Sequence, residues 1–417
     1  MPELGSRGVS RRLVLGGAAA GTAGTLLGPA GPAHAAPRSI DQVARRLDRH
    51  LIELRRDLHH HPETTGQESR TSAVVARELR AAGLDVTTGI GGHGVVGVLT
   101  GSRPGRTVAY RADMDAVPPQ DQIEGGAEAA HLCGHDLHTT VGVGVALTLA
   151  RLRDRLAGRL VFVFQPGEES LAGARAMLDD GVFDRVRPEE IHALHCGPFP
   201  VGTFATTAGF GLPGQDRGTA TLTGPDAAAK ANALAADLAA LSTVARPANS
   251  SDLEQLVAEI ERPGTALSRF VFMQAQPTGT GVRFSYRCWP QDRYTEVRAA
   301  VRRLAQSYGA TAVDFPADPF PAMVTPQREG QALHRYLRRT IGTSRTIPTY
   351  AAVPFSGEDF ALFLDRIPGT YTYLGVRRPA ADIKTAYPHF GAFDPDERAI
   401  GHGVRVMAGW LDHRARS

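Results

Sequence analysis

The chain of 417 residues contains only three cysteines and two lysines, and each scarcity excludes a class of protein. Three cysteines cannot form the disulfide framework of a small secreted scaffold. Both lysines, Lys230 and Lys384, stand alone, and 46 basic against 43 acidic residues leave a net charge of only +3. No basic block indicates binding to nucleic acid or to an anionic membrane. A composition of 42% hydrophobic and 21% charged residues is typical of a globular protein and excludes intrinsic disorder.

The first 35 residues are typical of a targeting segment. Residues 10–15 (Ser-Arg-Arg-Leu-Val-Leu) resemble a twin-arginine export motif, and residues 33–35 (Ala-His-Ala) form a small-x-small cleavage signal. An uncleaved membrane anchor is the alternative, because the uncharged run at residues 13–33 exceeds about 18 residues. The abundance of glycine and alanine in this run favours the signal peptide. We therefore expect a secreted or periplasmic protein that is cleaved after Ala35 and has no stable membrane association.

Helical and strand patterns alternate along the rest of the chain, whose length predicts two to three domains. Apolar residues at helical spacing predict a helix over residues 40–58 after an N-cap at Ser39, and further helices over 67–82 and 135–157. Short β-branched or apolar runs predict strands at residues 95–99, 108–110, 160–164 and 191–194. This interleaving predicts an α/β fold with a doubly wound, mostly parallel sheet, which places ligand-binding residues beyond the carboxyl ends of its strands.

Several side chains of metal-ligand type lie together at these strand ends and at the start of one helix. They are Asp113 and Asp115 after the strand at 108–110, Glu168 and Glu169 after the strand at 160–164, His195 after the strand at 191–194, Cys133, His135, Asp136 and His138 at the helix start, and His389 near the C-terminus. Thiolate, imidazole and carboxylate together suit Zn²⁺, Mn²⁺ or a similar divalent ion. Their joint placement predicts a metal site, which no single residue among them would do.

Each of these residues also has a simpler structural interpretation. Asp113 and Asp115 could belong to a solvated turn, and the paired glutamates could lie at the surface. Cys133 could be a small buried apolar side chain, and His195 could be a hydrogen-bonded histidine of the core. For the three consecutive histidines at residues 59–61 we prefer the structural interpretation, because neighbours on a helix point about 100° apart and do not converge on one ion.

Seven segments in collinear order make the chain similar to a known family. They are LRRDLHHHPETTGQE (54–68), YRADMDAVP (110–118), HLCGHDLHTT (131–140), FQPGEESLAGARAML (164–178), ALHCGPFPVGT (193–203), SGEDFALFL (356–364) and HFGAFDPDE (389–397). The chain resembles the aminoacylase/carboxypeptidase family of co-catalytic metallohydrolases. Its nearest branch is that of the hippurate hydrolases and indole-acetyl-amino-acid hydrolases, and the resemblance covers roughly residues 54–417.

This resemblance implies a dinuclear metal site. Cys133 matches the thiolate that bridges two metals in this branch, and the remaining ligands match His135, Glu169, His195 and His389. The expected cofactors are two divalent ions per chain, Mn²⁺ or Zn²⁺, which share one water, lower its pKa and polarise an amide carbonyl. No role is implied for Cys196, and a disulfide between Cys133 and Cys196 in an oxidising compartment would remove a ligand.

The resemblance also implies a general base and a set of supporting residues. Glu168 matches the base, which takes a proton from the bridging water and passes it to the leaving amine. Asp115 matches the carboxylate that orients the site, and Asp113 stands where other branches carry a ligand histidine. Asp113, Asp136 and His138 are expected to lie next to the ligands and to hold them in place.

A second domain is implied at residues 214–324, inserted between catalytic segments at 36–213 and 325–417. Its pattern predicts helices over residues 226–245 and 292–307 and strands over residues 269–274 and 281–288. This order resembles the α+β lid that carries dimer contacts in the family. The resemblance therefore allows a homodimer through this domain.

The lid departs from the family at two places. A Gly-Gly-His-type motif, whose histidine reaches an active site across the dimer, is replaced by residues 222–227 (Leu-Thr-Gly-Pro-Asp-Ala). Gln274 stands where the family has asparagine, whereas Arg287 falls where an arginine that binds the substrate carboxylate is expected. The metal half of the site thus matches the family, and the substrate half is altered. Lys230 and Gln274 are the candidates to replace the missing histidine as a hydrogen-bond donor.

Three functions are compatible with this pattern. The favoured one is an exported, metal-dependent amidohydrolase acting on N-acyl amino acids or similar small amide conjugates. The second is a binding or scavenging protein that keeps the metals but has weak or lost turnover. The third, a cysteine hydrolase using Cys133, would be insensitive to chelators. Because a single oxyanion donor often contributes about 3 kcal/mol, we expect slow turnover of standard N-acyl amino acids, with Arg287 affecting mainly KM.

Overall fold

A computed structural model describes residues 39–417 of the chain, and the signal peptide expected at residues 1–35 lies outside them. The α-helices are α1 (Ile40–Arg45), α2 (Asp48–His59), α3 (Ser69–Ala81), α4 (His135–Ala150), α5 (Gly173–Asp179), α6 (Val182–Val186), α7 (Ala227–Ala239), α8 (Ser250–Ile260), α9 (Tyr294–Ser307), α10 (Gln327–Thr340), α11 (Ala361–Leu364) and α12 (Arg398–Ala415). Within the described part of the chain, none of these helices combines the length and the apolarity that a membrane span requires.

The strands are β1 (Asp85–Ile90), β2 (Gly94–Thr100), β3 (Arg103–Asp113), β4 (Ala157–Gln165), β5 (Glu190–Pro200), β6 (Phe204–Thr206), β7 (Gly211–Leu212), β8 (Asp216–Thr221), β9 (Phe270–Thr278), β10 (Gly281–Trp289), β11 (Ala312–Asp314), β12 (Met323–Val324), β13 (Thr346–Pro348) and β14 (Gly369–Arg377). Eight of them form a central sheet in the order β1-β2-β4-β3-β5-β14-β6-β13. The four strands at its centre, β4, β3, β5 and β14, run parallel, and the next strand on each side, β2 and β6, pairs with them in the antiparallel direction.

Helices cover both faces of the central sheet. One face packs against α1–α4, α10 and α12, and the other against α5, α6 and α11. This arrangement confirms the predicted doubly wound α/β fold, because buried parallel strands need helical crossovers on both sides.

Helix α4 lies at the centre of the first layer and carries several site residues at its N-terminus. All of its residues except the last are buried, so it is in contact with protein on every side. Its glycines permit this close packing: a Cβ atom on Gly144 would lie 2.5 Å from Val404 Cγ2 and 2.7 Å from Leu51 Cδ1. Gly134, with φ of 88°, turns the chain into the helix in a left-handed conformation that favours glycine. The start of α4 is therefore fixed tightly against the sheet.

A second, four-stranded antiparallel sheet has the order β11-β8-β10-β9. Helices α7 and α9 pack on one of its faces around a separate apolar core. We call this sheet and its two helices the lid. The helix predicted over residues 226–245 is too long, because α7 ends at Ala239. The chain leaves the helix there since Ser242 and Thr243 bond through backbone and side chain to β9.

Helix α8 lies within the sequence of the lid but packs on the catalytic domain. Leu253 joins Ile383 and Phe390 in one apolar cluster, and the Ser250 hydroxyl donates a hydrogen bond to Asp382 at 2.8 Å. The sequence pattern predicted no element here. This helix brings part of the insertion directly beside the loop that carries His389.

Three other predicted elements have different boundaries in the structure. The helix predicted over residues 40–58 is divided into α1 and α2, because the Leu47 amide closes a tighter turn onto the Ala44 carbonyl. Helix α4 ends at Ala150, seven residues before the predicted end, and β5 continues to Pro200 instead of ending before His195.

Candidate active site

The carboxyl ends of two parallel strands supply the acidic side chains of the site. Strand β3 ends at Asp113, and Asp115 follows it directly. Strand β4 ends at Gln165, and the turn after it carries Glu168 and Glu169. His195, in contrast, lies in the interior of β5, opposite Tyr373 of β14, so the expectation that it follows its strand is wrong. Its strand continues because β14 pairs with β5 well beyond this position.

Five side chains predicted to bind metal converge on one place. They fall into two groups that share Cys133, and the donor atoms within each group lie within 4.8 Å of one another. One group adds His135 and His195, and the other adds Glu169 and His389. The Cys133 sulfur lies 3.4 Å from His195 Nε2, and Glu169 Oε2 lies 3.4 Å from His389 Nε2. Two overlapping groups with one common thiol suit two ions bridged by a thiolate.

Backbone carbonyls orient the three histidines of these groups. Each Nδ1 atom lies within hydrogen-bond distance of a carbonyl oxygen, at 2.8 Å for His135, 2.8 Å for His195 and 3.0 Å for His389. The carbonyls belong to Asp115, Cys196 and Asp121. Since a carbonyl oxygen only accepts, Nδ1 carries the proton and Nε2 keeps a free lone pair. A hydrogen bond from Nδ1 to a carbonyl is typical of histidines that bind a metal through Nε2.

Two buried polar atoms in the site have no hydrogen-bond partner among the described residues. They are His135 Nε2 and Glu169 Oε1, which lie 3.7 Å apart. An unsatisfied buried acceptor costs roughly 1–3 kcal/mol, so a pair of them facing each other needs a common partner. A divalent cation would satisfy both. The donor set of this structure therefore fits the implied metals.

The electrostatic environment of His135 also favours a cation. Burial opposes a charged imidazole, but Asp113 and Asp115 outweigh it and raise the pKa of His135 to about 10. The surrounding carboxylates thus attract positive charge to this position, either as a proton or as a metal ion. A bound divalent ion would displace the proton and leave the neutral ligand form.

The environment of Cys133 disfavours a cysteine nucleophile. Burial raises the pKa of its thiol well above the ordinary value, and the neighbouring Glu169 and Glu168 raise it further. A nucleophilic cysteine needs the opposite, a lowered thiol pKa in an electropositive setting. Burial meanwhile holds the pKa of His195 well below its usual range, so this imidazole is neutral, as a metal ligand requires. The thiolate form of Cys133 therefore depends on a cation.

Asp115 fixes the turn that carries the two glutamates. Its carboxylate accepts hydrogen bonds from the backbone amides of Glu168 at 3.1 Å and Glu169 at 3.0 Å, and from the Thr65 hydroxyl at 2.8 Å. It also lies 3.3 Å from His135 Nδ1. Asp115 therefore connects the first histidine ligand with both glutamates, which is an orienting role.

Glu168 lies beside the ligands but outside both groups that share Cys133. Its Oε2 atom is 3.8 Å from His135 Nε2, and its other neighbours are Glu358 and Asp359. Burial raises the pKa of Glu168 well above its ordinary value, and Glu358 and Glu169 add to this effect. A carboxylate that binds protons readily and is not needed as a ligand suits a general base.

Asp113 and His138 lie behind the ligands, as expected from the sequence. His138 Nδ1 lies 2.6 Å from Asp113, and the Cys196 amide donates to His138 Nε2 at 2.8 Å. Both ring nitrogens are thereby engaged, so His138 supports the site without binding metal. Its ring packs against that of His195 at 4.4 Å between centroids. Cys133 and Cys196 are both free, so no disulfide removes a ligand.

The sequence predicts Asp136 as a residue that supports the ligands, but in the described part of the chain its carboxylate bonds to none of the five. Its carboxylate pairs with Arg55 Nε at 2.8 Å and with His59 Nδ1 at 2.9 Å, on the side of α2. The reason is helical geometry, because Asp136 follows His135 by one residue and so points about 100° away from it. The contact with Asp136 also gives His59 a structural partner, in keeping with our interpretation of the histidine run.

A buried arginine beneath the site was missed in the sequence. Arg111 is 1% exposed and donates to Asp113 at 2.6 Å, Glu358 at 3.0 Å, Asp359 at 3.2 Å and Gln165 at 2.8 Å. Its signal was present, because a charged residue in the middle of an apolar strand implies a buried partner. Two of these partners, Glu358 and Asp359, lie almost 250 residues away along the chain and could not be read from the pattern.

A cavity of about 690 Å³ opens over the ligands, and the lid and α8 form its outer wall. The lid contributes Arg287 and Gln274, and α8 contributes Leu253, Val257 and Ile260. Arg287 donates to the Pro213 carbonyl at 3.4 Å, whereas Gln274 lies exposed at the rim.

Lys230 does not line this cavity, because it lies on the exposed side of α7. Within one chain it therefore cannot replace the missing lid histidine, and Gln274 is the remaining candidate of the two. The reason is the orientation of α7, whose buried side faces the lid sheet through residues such as Ala231 and Leu234.

The fold and the paired ligand groups define a metal-dependent hydrolase. Residues 109–413 match the family described as Peptidase family M20/M25/M40, and the chain belongs to this family. This match confirms the resemblance found in the sequence. Enzymes of the family act on amide bonds, so the protein is a hydrolase of that kind.

Individual relatives cover most of the chain. An N-acetylcysteine deacetylase of Bacillus subtilis is 32% identical over 84% of this chain and 93% of its own length. An IAA-amino acid hydrolase of Arabidopsis thaliana is 28% identical over 89% of this chain and 88% of its own. The crystal structure of the YXEP protein of Bacillus subtilis, a dinuclear metal-binding peptidase of the M20 family, matches with a TM-score of 0.66 and 26% identity, covering 88% of this chain and 98% of the other. This neighbour supports two divalent ions here.

Metal content tests the shared thiol. We expect purified protein to hold close to two divalent ions per chain by elemental analysis, and Cys133→Ala to hold fewer, because both ligand groups lose their common donor. Cys288→Ala is the matched control and should keep the parent content, since this thiol lies in the lid and contacts the Gln291 carbonyl. Equal metal contents in the parent and Cys133→Ala would contradict the assignment.

Proposed function

We propose that the protein is an exported, metal-dependent amidohydrolase that cleaves the amide bond of N-acyl amino acids or similar small conjugates. The observation that carries this proposal is the convergence of two ligand groups on Cys133, with Glu168 beside them and not among them. Two relatives, the N-acetylcysteine deacetylase and the IAA-amino acid hydrolase, are named for substrates of this type, which supports it.

Different residues of the chain have different roles in the proposed hydrolysis. Two divalent ions, when held by the five ligands, would polarise the amide carbonyl and acidify the attacking water, and Mn²⁺ or Zn²⁺ suits the donors. Glu168 takes the proton of that water on a carboxylate oxygen and delivers it to the nitrogen of the leaving amine. Asp115 holds the Glu168 backbone in place during both transfers.

The cavity has separate surfaces for the two halves of such a substrate. Arg287 is a guanidinium that faces the cavity and suits the carboxylate of the amino acid half. Val257 of α8 lies with Leu253 and Phe390 in an apolar cluster that borders the same cavity and suits an apolar acyl group. Gln274 at the rim is an amide donor within the same cavity.

One observation favours a second candidate, a metal-retaining binding or scavenging protein with weak turnover. The lid has no histidine after Leu222, Lys230 lies outside the cavity, and Gln274, a neutral donor, is the one of the two candidate replacements that lines it. Oxyanion stabilisation would then be weaker than a charged donor gives. The two candidates differ in one measurement, which is turnover of any N-acyl amino acid by the metal-loaded protein.

Paired glutamate variants test the mechanism. Glu168→Gln should keep its metals yet lose turnover by roughly 10²–10⁴-fold, the usual contribution of a general base. Glu169→Gln should instead lose metal, because its carboxylate belongs to a ligand group. Elemental analysis and steady-state kinetics on N-benzoyl and N-acetyl amino acids separate the two effects. If both variants lose metal equally, the roles are wrongly assigned, and a metal-loaded parent with no turnover would favour the scavenging protein.

Export is proposed from the twin-arginine motif at residues 10–15. We expect protein recovered from outside the cytoplasm to begin at Ala36, as determined by N-terminal sequencing. An Arg11→Lys, Arg12→Lys double variant should remain inside the cell, because the paired arginines are the signal. Equal export of the parent and this variant would contradict the twin-arginine route.

We also propose a homodimer through the lid. Strand β9 lies at the edge of the lid sheet and pairs only with β10 among the described strands. Ser242 and Thr243 occupy its outer edge at Met273 and Val271, so residues 274–278 are left for a second copy to bind. The mass in solution, measured by sedimentation of the metal-loaded protein, should be twice that of the mature chain. A monomer at concentrations where the enzyme is fully active would contradict this assembly.

A further inference from the structure

The outer wall of the cavity carries two arginines that have no acidic partner in the described part of the chain. Arg246 and Arg287 both line the cavity, whose floor we define by the carboxylates of Glu168, Glu169 and Glu358 beside the ligands. Arg111 below the same site shows the contrast, because it pairs with Asp113, Glu358 and Asp359. Cations that face a cavity without compensation are positioned to bind anions.

Arg287 is held in place by neutral groups. Its Nη1 atom donates to the Pro213 carbonyl at 3.4 Å, and a Cβ atom on Gly357 would lie only 2.6 Å from the same nitrogen. The guanidinium is thus packed closely against the backbone with its charge unpaired. Burial lowers the pKa of Arg287 to about 10, and the positive charge of Arg246 lowers it further while Glu168 opposes this.

Arg246 is held by aromatic rings. Its guanidinium carbon lies 5.4 Å from the ring centre of Phe272 and 5.9 Å from that of Phe355, and the two rings meet edge to face at 4.9 Å. An arginine that only served solubility would extend freely into water. Cation–π contacts restrict the side chain but leave its charge and its five N–H donors available.

The two arginines occupy different depths in the cavity. Arg287 is half-buried and lines the cavity with Glu168, whereas Arg246 is exposed and lines it with Tyr387. One carboxylate pairs with one guanidinium through a bidentate hydrogen bond. A second anionic group on the same ligand is needed to satisfy the other.

We propose that Arg246 is a second anion-binding residue, and that the preferred substrate carries a dicarboxylic amino acid of the aspartate or glutamate class as its amine half. The α-carboxylate lies at Arg287, next to the scissile amide, and the side-chain carboxylate lies at Arg246, nearer the mouth. This inference rests on the proposed hydrolysis of N-acyl amino acids and names the class of amino acid within it.

Two substrates that differ in a single charge test the proposal. N-benzoyl-L-glutamate and N-benzoyl-L-glutamine have the same acyl group and nearly the same shape. With the metal-loaded enzyme we expect kcat/KM for the glutamate conjugate to be about ten- to a hundredfold higher, as one charge-assisted hydrogen-bond pair provides. The difference should appear mainly in KM, because this carboxylate is remote from the reacting bond.

Variants of Arg246 locate the effect. Arg246→Gln should reduce the glutamate-to-glutamine ratio to near one, and Arg246→Lys should restore part of it, since lysine keeps the charge without the planar fork. Arg262→Gln is the matched control, because Arg262 is exposed in the same insertion, bonds only the Ala258 carbonyl and lies outside the cavity. It should keep the parent ratio.

Each result is decisive for one of the two proposals. A parent that hydrolyses both conjugates at equal kcat/KM would overturn the role of Arg246 and leave the proposed function intact. If neither conjugate is hydrolysed, the proposed function fails, and calorimetric titration of the metal-loaded protein with the same two compounds still tests Arg246. Tighter binding of the glutamate conjugate, lost in Arg246→Gln, would support the anion site, and equal binding would overturn it.

Discussion

The mutual repulsion of buried acidic groups is the constraint on which the site depends. Asp113, Glu358 and Asp359 are each almost fully buried, and Arg111 is the protein cation that compensates them. Breaking such a network typically costs 3–5 kcal/mol, because the remaining charges stay buried and unpaired. Beside this network, Glu169 and the Cys133 thiolate have no arginine partner among the described residues, so the compensating positive charge comes from the histidines around them or from bound metal ions. Metal binding and stability are therefore coupled in this fold.

Most of the metal site could be predicted from the sequence because its residues follow local rules. Asp115, Glu168 and Glu169 come directly after buried strands, and the carboxyl ends of parallel strands meet at one edge of a sheet. The resemblance to the family supplied what local rules could not, namely that His389 joins them. The predicted contact of Asp136 with the ligands is absent from the described residues, because one residue along a helix changes the side that a side chain faces.

The remainder of the site could not be predicted because it depends on contacts between distant segments. Strand β5 extends past His195 since β14, from the other end of the chain, pairs with it. The end of α7 is set by hydrogen bonds to β9 and not by helix propensity. Helix α8 lies against Ile383 and Phe390, and its own sequence gives no indication that it belongs to the cavity wall.

Opposite charges across the cavity determine how a substrate can lie in it. The floor attracts cations and leaves Glu168 free to move a proton, whereas the wall presents the unpaired charges of Arg246 and Arg287. A substrate with its carboxylates toward the floor would meet like charge, so in the N-acyl amino acids that we propose the amine half would point to the lid and the acyl half to α8. The floor is formed by the catalytic domain, and the wall by the insertion. Changes in the insertion can therefore alter which amide is accepted while the metal ligands stay the same.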